Sequence, residues 1–375
     1  MRWAKPFTAA FIPVLLIGAA VAQQTTLKDA YQGCFVVGAA LAPAQFTGED
    51  LPETQLVQAQ FNSISPENVL KWELVHPQPS VYDFSLADRY VEFGQQNHMF
   101  IIGHNLLWHS QVPKWVFEDN NGKPVSRKVL LRRMQDHIKK VVGRYKRRIN
   151  GWDVVNEALN EDGTLRQSPW MNIIGDDYIE KAFRYAHETD PQAQLYYNDY
   201  SLENEAKRRG ALELVRKLKA KGIAITAVGL QDHVSLDSPT PDEIDATIND
   251  FGKLGVKVMI TELDVDLLPW PASHQTADVS LNIAADLKLN PYPEGLPEAM
   301  QQALSRRYAD LFGVYAKHCG LVTRVTFWGV TDKDSWKNDW PVKGRTNYPL
   351  LFDRNADPKP AFHAVIEVAI RRARL

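Results

Sequence analysis

The sequence predicts a single-domain α/β fold, the (β/α)8 barrel, and three observations lead to this prediction. Short apolar runs alternate with longer amphipathic helical patterns, an order typical of a parallel sheet covered by helices. Eight such runs occur in the 375-residue chain. Nearly every run ends in polar or aromatic side chains, and in a barrel those ends meet on the face that carries active sites.

The eight predicted strands have lengths that suit a buried parallel sheet. They are Cys34–Leu41, Phe61–Asn68, Met99–Asn105, Gly151–Glu157, Ala193–Asp199, Ala227–His233, Val256–Asp264 and Arg324–Val330. Among the helices between them, one has Ser238 and Pro241 as start signals and ends near Gly252 and Gly255. A doubly wound open sheet is the alternative. No glycine-rich phosphate loop follows the first strand, which disfavours its nucleotide-binding form.

The first 22 residues have the pattern of a secretory signal peptide. Arg2 and Lys5 precede an apolar run, and Ala20-Val21-Ala22 gives a small-x-small cleavage pattern. A membrane anchor is the alternative, but the run is short for a span and contains proline. We therefore expect export to the periplasm or the outside of the cell, with residues 23–375 as the mature domain and no membrane attachment after cleavage.

The amino-acid composition indicates which kinds of ligand or partner the protein is expected to bind. The net charge is −2 and 23% of residues are charged, which does not suggest a nucleic-acid partner or an acidic substrate. Ten Trp and thirteen Tyr are present. Aromatic rings fill cores, but exposed rings also stack on flat neutral ligands such as sugars. No linker or short repeat divides the mature chain, and we expect a monomer.

The two cysteines, Cys34 and Cys319, do not have metal-type spacing. Cys34 begins the first predicted strand, and Cys319 immediately precedes the eighth. These strands are neighbours in a closed barrel. In the oxidising environment that an exported protein reaches, such a pair of cysteines can form a disulfide. The sequence therefore predicts a disulfide, with two free thiols as the alternative, and neither a metal nor a cofactor is expected.

Glu157 and Glu262 end the fourth and seventh predicted strands, and hydrolysis of a glycosidic bond needs two such carboxyls in one cleft. One protonates the leaving oxygen, so its pKa must be raised; the apolar run before Glu157 and the charge of Glu262 favour this. The second carboxyl must stay ionised. His233 is the best candidate donor to Glu262, with Asp264 orienting it, although His233 alone could be a core histidine.

Seven blocks, in order, resemble glycoside hydrolase family 10, the endo-β-1,4-xylanases, over essentially the whole mature chain. The blocks are FNSISPENVLKWE (Phe61–Glu73), GHNLLWHSQVPKW (Gly103–Trp115), GWDVVNEAL (Gly151–Leu159), LYYNDYS (Leu195–Ser201), VGLQDHVS (Val228–Ser235), MITELDV (Met259–Val265) and TFWGVTDKDSW (Thr326–Trp336). The resemblance implies an endo-1,4-β-xylanase that acts on xylan and xylo-oligosaccharides without a cofactor. It also implies a retaining double displacement with Glu157 as general acid/base and Glu262 as nucleophile.

The resemblance assigns further residues to sugar binding. Asn156 would hydrogen-bond the sugar 2-hydroxyl, Trp328 and Trp336 would stack on the xylose nearest the cut, and Trp108 would lie at the site. Residues matching the non-reducing side are Glu67, Asn68, Lys71, His104, Gln231 and His233. Supporting roles fall to Asp264, Asp199 and Tyr200. Two alternatives stay open: Trp328 as a core residue and Lys71 as a surface lysine.

Some positions depart from the family pattern. Asn105, Asp232 and Ser201 stand where the family more often has Thr, Ser and Asn. The side chain of Asp232 should point away from that of His233 along a strand. A long loop, Asp266–Pro297, follows the seventh strand, and whether it touches substrate or holds an ion stays open. Other possible functions are a retaining β-glycosidase on another β-1,4-glycan or an aryl glycoside, a non-catalytic carbohydrate-binding protein and, more distantly, a nucleotide-dependent enzyme.

Overall fold

The structure is a computed structural model that describes residue 1, residues 25–270 and residues 287–374. The predicted signal peptide, apart from Met1, and the middle of the long loop lie outside the described residues. The strands are β1 (Val36–Leu41), β2 (Ser63–Pro66), β3 (Phe100–Leu107), β4 (Gly151–Asn156), β5 (Gln194–Asp199), β6 (Ala227–Leu230), β7 (His233–Ser235), β8 (Lys257–Asp266) and β9 (Val322–Phe327).

Helices fill the connections between the strands. They are α1 (Leu27–Ala30), α2 (Pro43–Thr47), α3 (Leu51–Gln60), α4 (Trp72–Val75), α5 (Ser85–Gln96), α6 (Arg127–Arg144), α7 (Pro169–Ile174), α8 (Tyr178–Thr189), α9 (Glu205–Ala220), α10 (Pro241–Lys253), α11 (Glu298–Lys317) and α12 (Pro360–Ala373). Short 3₁₀ helices cover Lys114–Val116, Leu287–Leu289 and Trp336–Asn338. Helices α5, α8, α9 and α10 each bury an apolar stripe, as helices that cover the sheet of an α/β fold do.

The sheet closes into a barrel. Neighbouring strands pair in parallel from β1 to β6, β6 pairs with β8, β8 with β9, and β9 with β1. Every predicted strand is present, so the (β/α)8 prediction is confirmed. β4 is buried at all of its residues because side chains fill the barrel on one face and helices cover the other.

The sixth predicted strand is the exception, because it is not continuous. Residues Ala227–Leu230 pair with β5 and β8, and the regular strand pairing is then interrupted at Gln231 and Asp232. Asp232 has a φ of +54°, in the left-handed region, which ends regular pairing. β7 resumes beside the end of β8, with His233 opposite Asp264. The prediction of one strand over Ala227–His233 is therefore wrong at this turn.

The helix that follows the sixth strand begins at a different cap from the one predicted. The N-cap of α10 is Thr240, not Ser238. Its side chain accepts from the backbone N–H of Glu243, and the Glu243 side chain accepts from the N–H of Thr240. This capping box, followed by Pro241, fixes the start of the helix.

A close approach of two strands positions His104, one of the residues predicted to bind sugar. A Cβ atom added to Gly103 would lie 2.1 Å from the ring of Trp152, so only glycine fits between β3 and β4 there. The next residue, His104, is thereby held against Asp153, with 2.9 Å between Nδ1 and Oδ2. Tight strand packing thus positions a polar side chain at the barrel mouth.

Cys34 and Cys319 form a disulfide, as predicted, with their Cα atoms 4.7 Å apart and their positions separated by 285 in the sequence. The bond joins the segment before β1 to the segment before β9, on the face opposite the strand ends. In the described ranges, no helix is long and apolar enough to cross a bilayer.

Candidate active site

Glu157 follows the last residue of β4 and enters the barrel mouth. Its φ of +56° is left-handed, and its backbone N–H donates to the carbonyl of Asn198 at 2.9 Å. The buried carboxylate accepts at Oε2 from Trp108 Nε1 at 2.7 Å. At Oε1 it accepts from Gln231 Nε2 at 3.0 Å and Asn156 Nδ2 at 3.1 Å. All three donors are neutral groups.

The surroundings of Glu157 favour its protonated form. Burial raises the pKa of Glu157 to about 7, and the negative charges of Asp199 and Glu262 act in the same direction. The hydrogen bonds from Gln231 and Trp108 oppose the rise. The predicted raising of the pKa is therefore present, although Asp199 contributes more than Glu262. Such a carboxyl can both give and take a proton near neutral pH.

Glu262, on β8, has a different set of donors. Its Oε1 accepts from Asn198 Nδ2 at 2.7 Å, and its Oε2 lies 3.2 Å from His233 Nε2. The other ring nitrogen of His233 lies 2.9 Å from Asp264 Oδ2. The predicted relay from Asp264 through His233 to Glu262 is therefore present.

The relay sets the charge of its members. Burial works against the charged form of His233, but Asp264 and Glu262 outweigh burial and raise the pKa of His233 to about 9. Burial would likewise raise the pKa of Glu262. The hydrogen bond from His233, the positive charges of His104 and His233, and the hydrogen bond from Asn198 together more than compensate and hold that pKa below its ordinary value. At neutral pH, Glu262 is an anion beside a cation.

Lys71 lies inside the site and not at the surface. Its ammonium donates to Asn68 Oδ1 at 2.8 Å and Gln111 Oε1 at 2.7 Å, and it lies 4.9 Å from the centre of the Trp108 ring. Burial lowers the pKa of Lys71, and nearby glutamates oppose this. The half-buried carboxyl of Glu67 is one of them, and burial raises its own pKa. Glu67, Asn68 and Lys71, which were predicted to act together after the second strand, therefore lie side by side in the structure.

Two of the predicted tryptophans flank the relay. Trp328 is 8% exposed, and its ring meets the His104 ring edge-to-face, with the centroids 5.3 Å apart. Trp336 is half-buried and donates from Nε1 to Asp264 Oδ2 at 2.7 Å. Its ring centre lies 4.9 Å from that of His233. Aromatic surface and the two buried carboxylates therefore share one mouth, an arrangement that suits a flat neutral ligand such as a sugar.

Comparison with known proteins agrees with this geometry. Residues 26–368 match the sequence model of glycosyl hydrolase family 10. The chain belongs to glycosyl hydrolase family 10. It is 47% identical over 356 residues to endo-1,4-beta-xylanase A of Xylanibacter ruminicola, covering 95% of this chain and 96% of that protein.

Two further similarities extend the family assignment. The chain is 42% identical to the beta-1,4-xylanase of Dictyoglomus thermophilum, covering 91% of this chain and 90% of that protein. It also matches the solved structure of a GH10 endoxylanase retrieved from a sugarcane soil metagenome. There the TM-score is 0.87 and the identity 46%, with 92% of this chain and 100% of the other covered.

Asn198 is a member of the family 10 site that the sequence analysis did not select. Its Nδ2 donates to Glu262 Oε1 at 2.7 Å and to Asn156 Oδ1 at 2.9 Å, while its Oδ1 accepts from Thr261 Oγ1 at 2.6 Å. It links Glu157 and Glu262 through Asn156. The signal was present, since Asn198 is a polar residue at a strand end, but the bridge depends on distances across strands.

Two other contributors had weaker signals in the sequence. Asp153 holds His104 from within β4, and Gln111 bridges Lys71 and Glu73 from a loop. Asn105, which differs from the residue usual in the family, places its Nδ2 3.3 Å from His104 Nε2. Neither Asp153 nor Gln111 ends a strand, so the strand-end rule could not find them.

Asp199 and Tyr200 support the family 10 site from behind. Asp199 pairs with Lys207 at 3.0 Å, and the Lys207 ammonium lies 3.4 Å from the centre of the Tyr200 ring. The Tyr200 hydroxyl accepts from Arg166 at 2.8 Å. In the described contacts neither residue hydrogen-bonds a catalytic carboxylate, and Asp199 acts on Glu157 through its charge.

The described ends of the long loop are attached to the segment that carries Trp336. Asp266 accepts from Trp270 Nε1 at 2.9 Å and from Asn347 Nδ2 at 2.8 Å. The backbone carbonyl of Tyr292 accepts from the Tyr348 hydroxyl at 2.7 Å. Trp270 and Tyr292 thus have protein partners, and residues 271–286 lie outside the described residues.

Proposed function

We propose that this family 10 hydrolase is an endo-1,4-β-xylanase that cleaves internal β-1,4 bonds with retention of configuration, with Glu157 as general acid/base and Glu262 as nucleophile. The observation that carries the proposal is that the surroundings of two buried carboxyls in one mouth shift their pKa values in opposite directions. Glu157 has a pKa raised to about 7, and Glu262 has one held below its ordinary value. A retaining glycosidase needs one carboxyl of each kind.

In the first step, an oxygen of Glu262 attacks the anomeric carbon while the bond to the leaving sugar breaks. Glu157 transfers its proton to the departing oxygen, so the leaving chain departs as a neutral alcohol. The products of this step are a glycosyl ester on Glu262 and an ionised Glu157. His233 stabilises Glu262 as the anion before the attack.

In the second step, water attacks the ester from the face that the leaving group vacated. Glu157 accepts one proton of the water, its oxygen bonds to the anomeric carbon, and the bond to Glu262 breaks. Two inversions give net retention. The pKa of about 7 suits Glu157 to both roles, because neither of its protonation states is strongly disfavoured near neutral pH.

Sugar binding is assigned to the residues around this pair. Asn156 is proposed to donate to the 2-hydroxyl, a contact that strengthens as the anomeric carbon becomes positive. Trp108, Trp328 and Trp336 supply aromatic surface. Hydroxyl contacts on the non-reducing side are assigned to Glu67, Asn68, Lys71, His104, Gln231 and His233. The substrates proposed are xylan and xylo-oligosaccharides.

The deciding experiment is early-time proton NMR of the purified protein with xylohexaose, with cellohexaose as the comparison. The β-anomer of the new reducing end should appear first and then mutarotate to α. If α appears first, the reaction inverts and Glu262 is not the nucleophile. Hydrolysis of cellohexaose in preference to xylohexaose would move the assignment to another β-1,4-glycan, and no hydrolysis of either would indicate a binding protein.

We also propose export and a monomeric state. The motif in residues 1–22 and the Cys34–Cys319 disulfide support an oxidising location, periplasmic or extracellular. Protein recovered from the periplasm or medium should begin at Gln23. A chain that keeps Met1 and sediments with membranes would overturn export, and light scattering that gives a dimer mass would overturn the monomer.

A further inference from the structure

One turn, residues 231–233, supplies hydrogen bonds to both catalytic carboxylates. Gln231 donates to Glu157 at 3.0 Å, and His233 lies 3.2 Å from Glu262. The carbonyl of Gln231 also accepts from the backbone N–H of Glu262 at 3.0 Å. Because both contacts come from the two residues that flank Asp232 in a broken strand, any displacement of this turn changes the surroundings of both glutamates.

The residue between these two donors, Asp232, points away from the mouth, as strand alternation predicts. Its carboxyl is 2% exposed and accepts from the Tyr315 hydroxyl at 2.6 Å. The side chain of Glu203, which is 8% exposed, lies within hydrogen-bond reach of that of Asp232. Both residues line a cleft of about 1090 Å³ that also reaches His233.

The two carboxyls need a proton between them. Asp232 Oδ1 and Glu203 Oε1 are enclosed and receive no N–H or O–H donor from any described residue. Two carboxylates offer only acceptors, so a hydrogen bond between them requires that one be protonated. Burial raises the pKa of Asp232 well above its ordinary value, and the negative charge of Glu203 raises it further.

The cations around the pair have other partners. On α11, Arg307 donates to the backbone carbonyls of Ser235 and Pro239 at 2.9 and 2.6 Å. On α9, Arg208 pairs with Asp250 at 3.3 Å, and Lys207 pairs with Asp199. The titratable groups facing the pair are thus Tyr315, Arg307, Arg208 and Lys207, with His233 on the far side of the turn. None of the described ion pairs joins a cation to Asp232 or Glu203.

We propose that Asp232 and Glu203 are positioning residues for the xylanase reaction: they share one proton, and their hydrogen bond holds the turn that orients Gln231 and His233 toward the catalytic glutamates. The proposal rests on the proposed function of those glutamates. When the shared proton is lost, two adjacent anions repel each other in an enclosed site, and the turn moves with Asp232.

The test compares wild type with Glu203→Gln and Asp232→Asn, in which an amide N–H replaces the shared proton. The measurement is kcat/KM against pH on an aryl xylobioside with a good leaving group, whose first step does not need the acid. The amide variants should keep most of the neutral activity. Their alkaline midpoint should lie about one pH unit or more above that of wild type, a tenfold change in the ionisation constant.

Truncating the side chain of Asp232 distinguishes an effect on the position of the turn from an effect on folding. Asp232→Ala should lower kcat about tenfold, the cost of roughly 1.4 kcal/mol at the transition state, with little change in KM. Asp232→Asn should restore kcat. The matched control is Glu53→Gln, which changes a buried carboxyl that accepts hydrogen bonds from Gln45 and Thr331 and, among the described residues, makes no hydrogen bond to the turn. Its alkaline midpoint should equal that of wild type.

A readout without catalysis keeps this proposal distinct from the proposed function. A carboxyl with a raised folded pKa stabilises the fold at low pH and loses that contribution as pH rises through the folded value. The Tm of wild type should therefore fall below that of Glu203→Gln on the alkaline side and match it in acid. Equal alkaline midpoints and parallel Tm curves would overturn the shared proton, whether or not xylan is the substrate.

Discussion

Glu157 and Glu262 are buried to nearly the same extent, 4% and 5% exposed, yet their pKa values move in opposite directions. Burial raises the pKa of both. Glu157 meets neutral donors and the negative charge of Asp199. Glu262 meets a histidine that carries a proton. The comparison teaches that burial makes a carboxyl sensitive to its neighbours, and that the charge of those neighbours decides the direction.

The largest expected effect is that of Glu262→Ala, which removes the anion of the pair. Turnover on every substrate should fall on the order of 10⁴-fold or more, because no covalent intermediate can form. Added azide can occupy the vacated space and attack an activated substrate once. NMR of the product should show an α-glycosyl azide, and a β-azide would contradict the nucleophile assignment.

Glu157→Ala removes the proton donor, so the size of the rate loss should depend on the leaving group of the substrate. Hydrolysis of xylohexaose should fall about 10²–10⁴-fold, the usual contribution of general acid catalysis. The first step on a dinitrophenyl xylobioside should change little, since that leaving group departs without a proton. Pre-steady-state release of dinitrophenol measures this step. Equal losses in that step on both kinds of substrate would remove the acid assignment.

His233→Gln tests whether a cation creates the difference between the two glutamates. A hydrogen bond between charged groups contributes about 1.5–3 kcal/mol, so kcat/KM should fall about ten- to a hundredfold. The pKa of Glu262 should rise, and the acid limb of kcat/KM should move to higher pH. The control is His318→Gln, which removes a histidine paired with Asp245 near the disulfide. An unmoved acid limb in His233→Gln would show that the relay does not set the charge of Glu262.

The smallest expected effects shift the alkaline limb of xylohexaose hydrolysis. In wild type this limb should fall above about pH 7, as Glu157 loses its proton. Asp199→Asn removes a nearby negative charge, so the pKa of Glu157 should drop and the limb should move down. Trp108→Phe removes a donor to the carboxylate, so the limb should move up. Shifts in the same direction would mean that neither group acts on Glu157 as the contacts indicate.

Most of the candidate site could be predicted from the polar residues at the ends of the predicted strands. In a barrel, residues near the C-terminal ends of the strands lie on one face even when they are far apart in sequence. Glu157 and Gln231 directly follow β4 and β6, while His104 and Glu262 lie in the C-terminal halves of β3 and β8. These parts of the strands converge on one face. The relay through His233 was predicted for the same reason, since His233 and Asp264 fall near the ends of strands that later proved to be neighbours. Lys71, although its alternative was a surface position, lies in the same mouth.

Other features depend on distances across strands that no local pattern encodes. The bridge made by Asn198 and the contact between Asp153 and His104 join residues more than forty positions apart. The break at Asp232 could not be seen either, because its residues continue the alternation of a strand while its backbone turns left-handed. That break determines where Gln231 and His233 point.

The sequence by itself determined the barrel, the family, the pairing of Cys34 with Cys319 as the favoured expectation, and the two glutamates at the mouth. These follow from periodicity and from the order of short motifs, which are local properties of the chain. Only the tertiary structure decided which charge each glutamate faces and that Asp232 and Glu203 meet. Electrostatic energies depend on separations of a few ångströms and on exclusion of water, and both exist only once distant segments have packed.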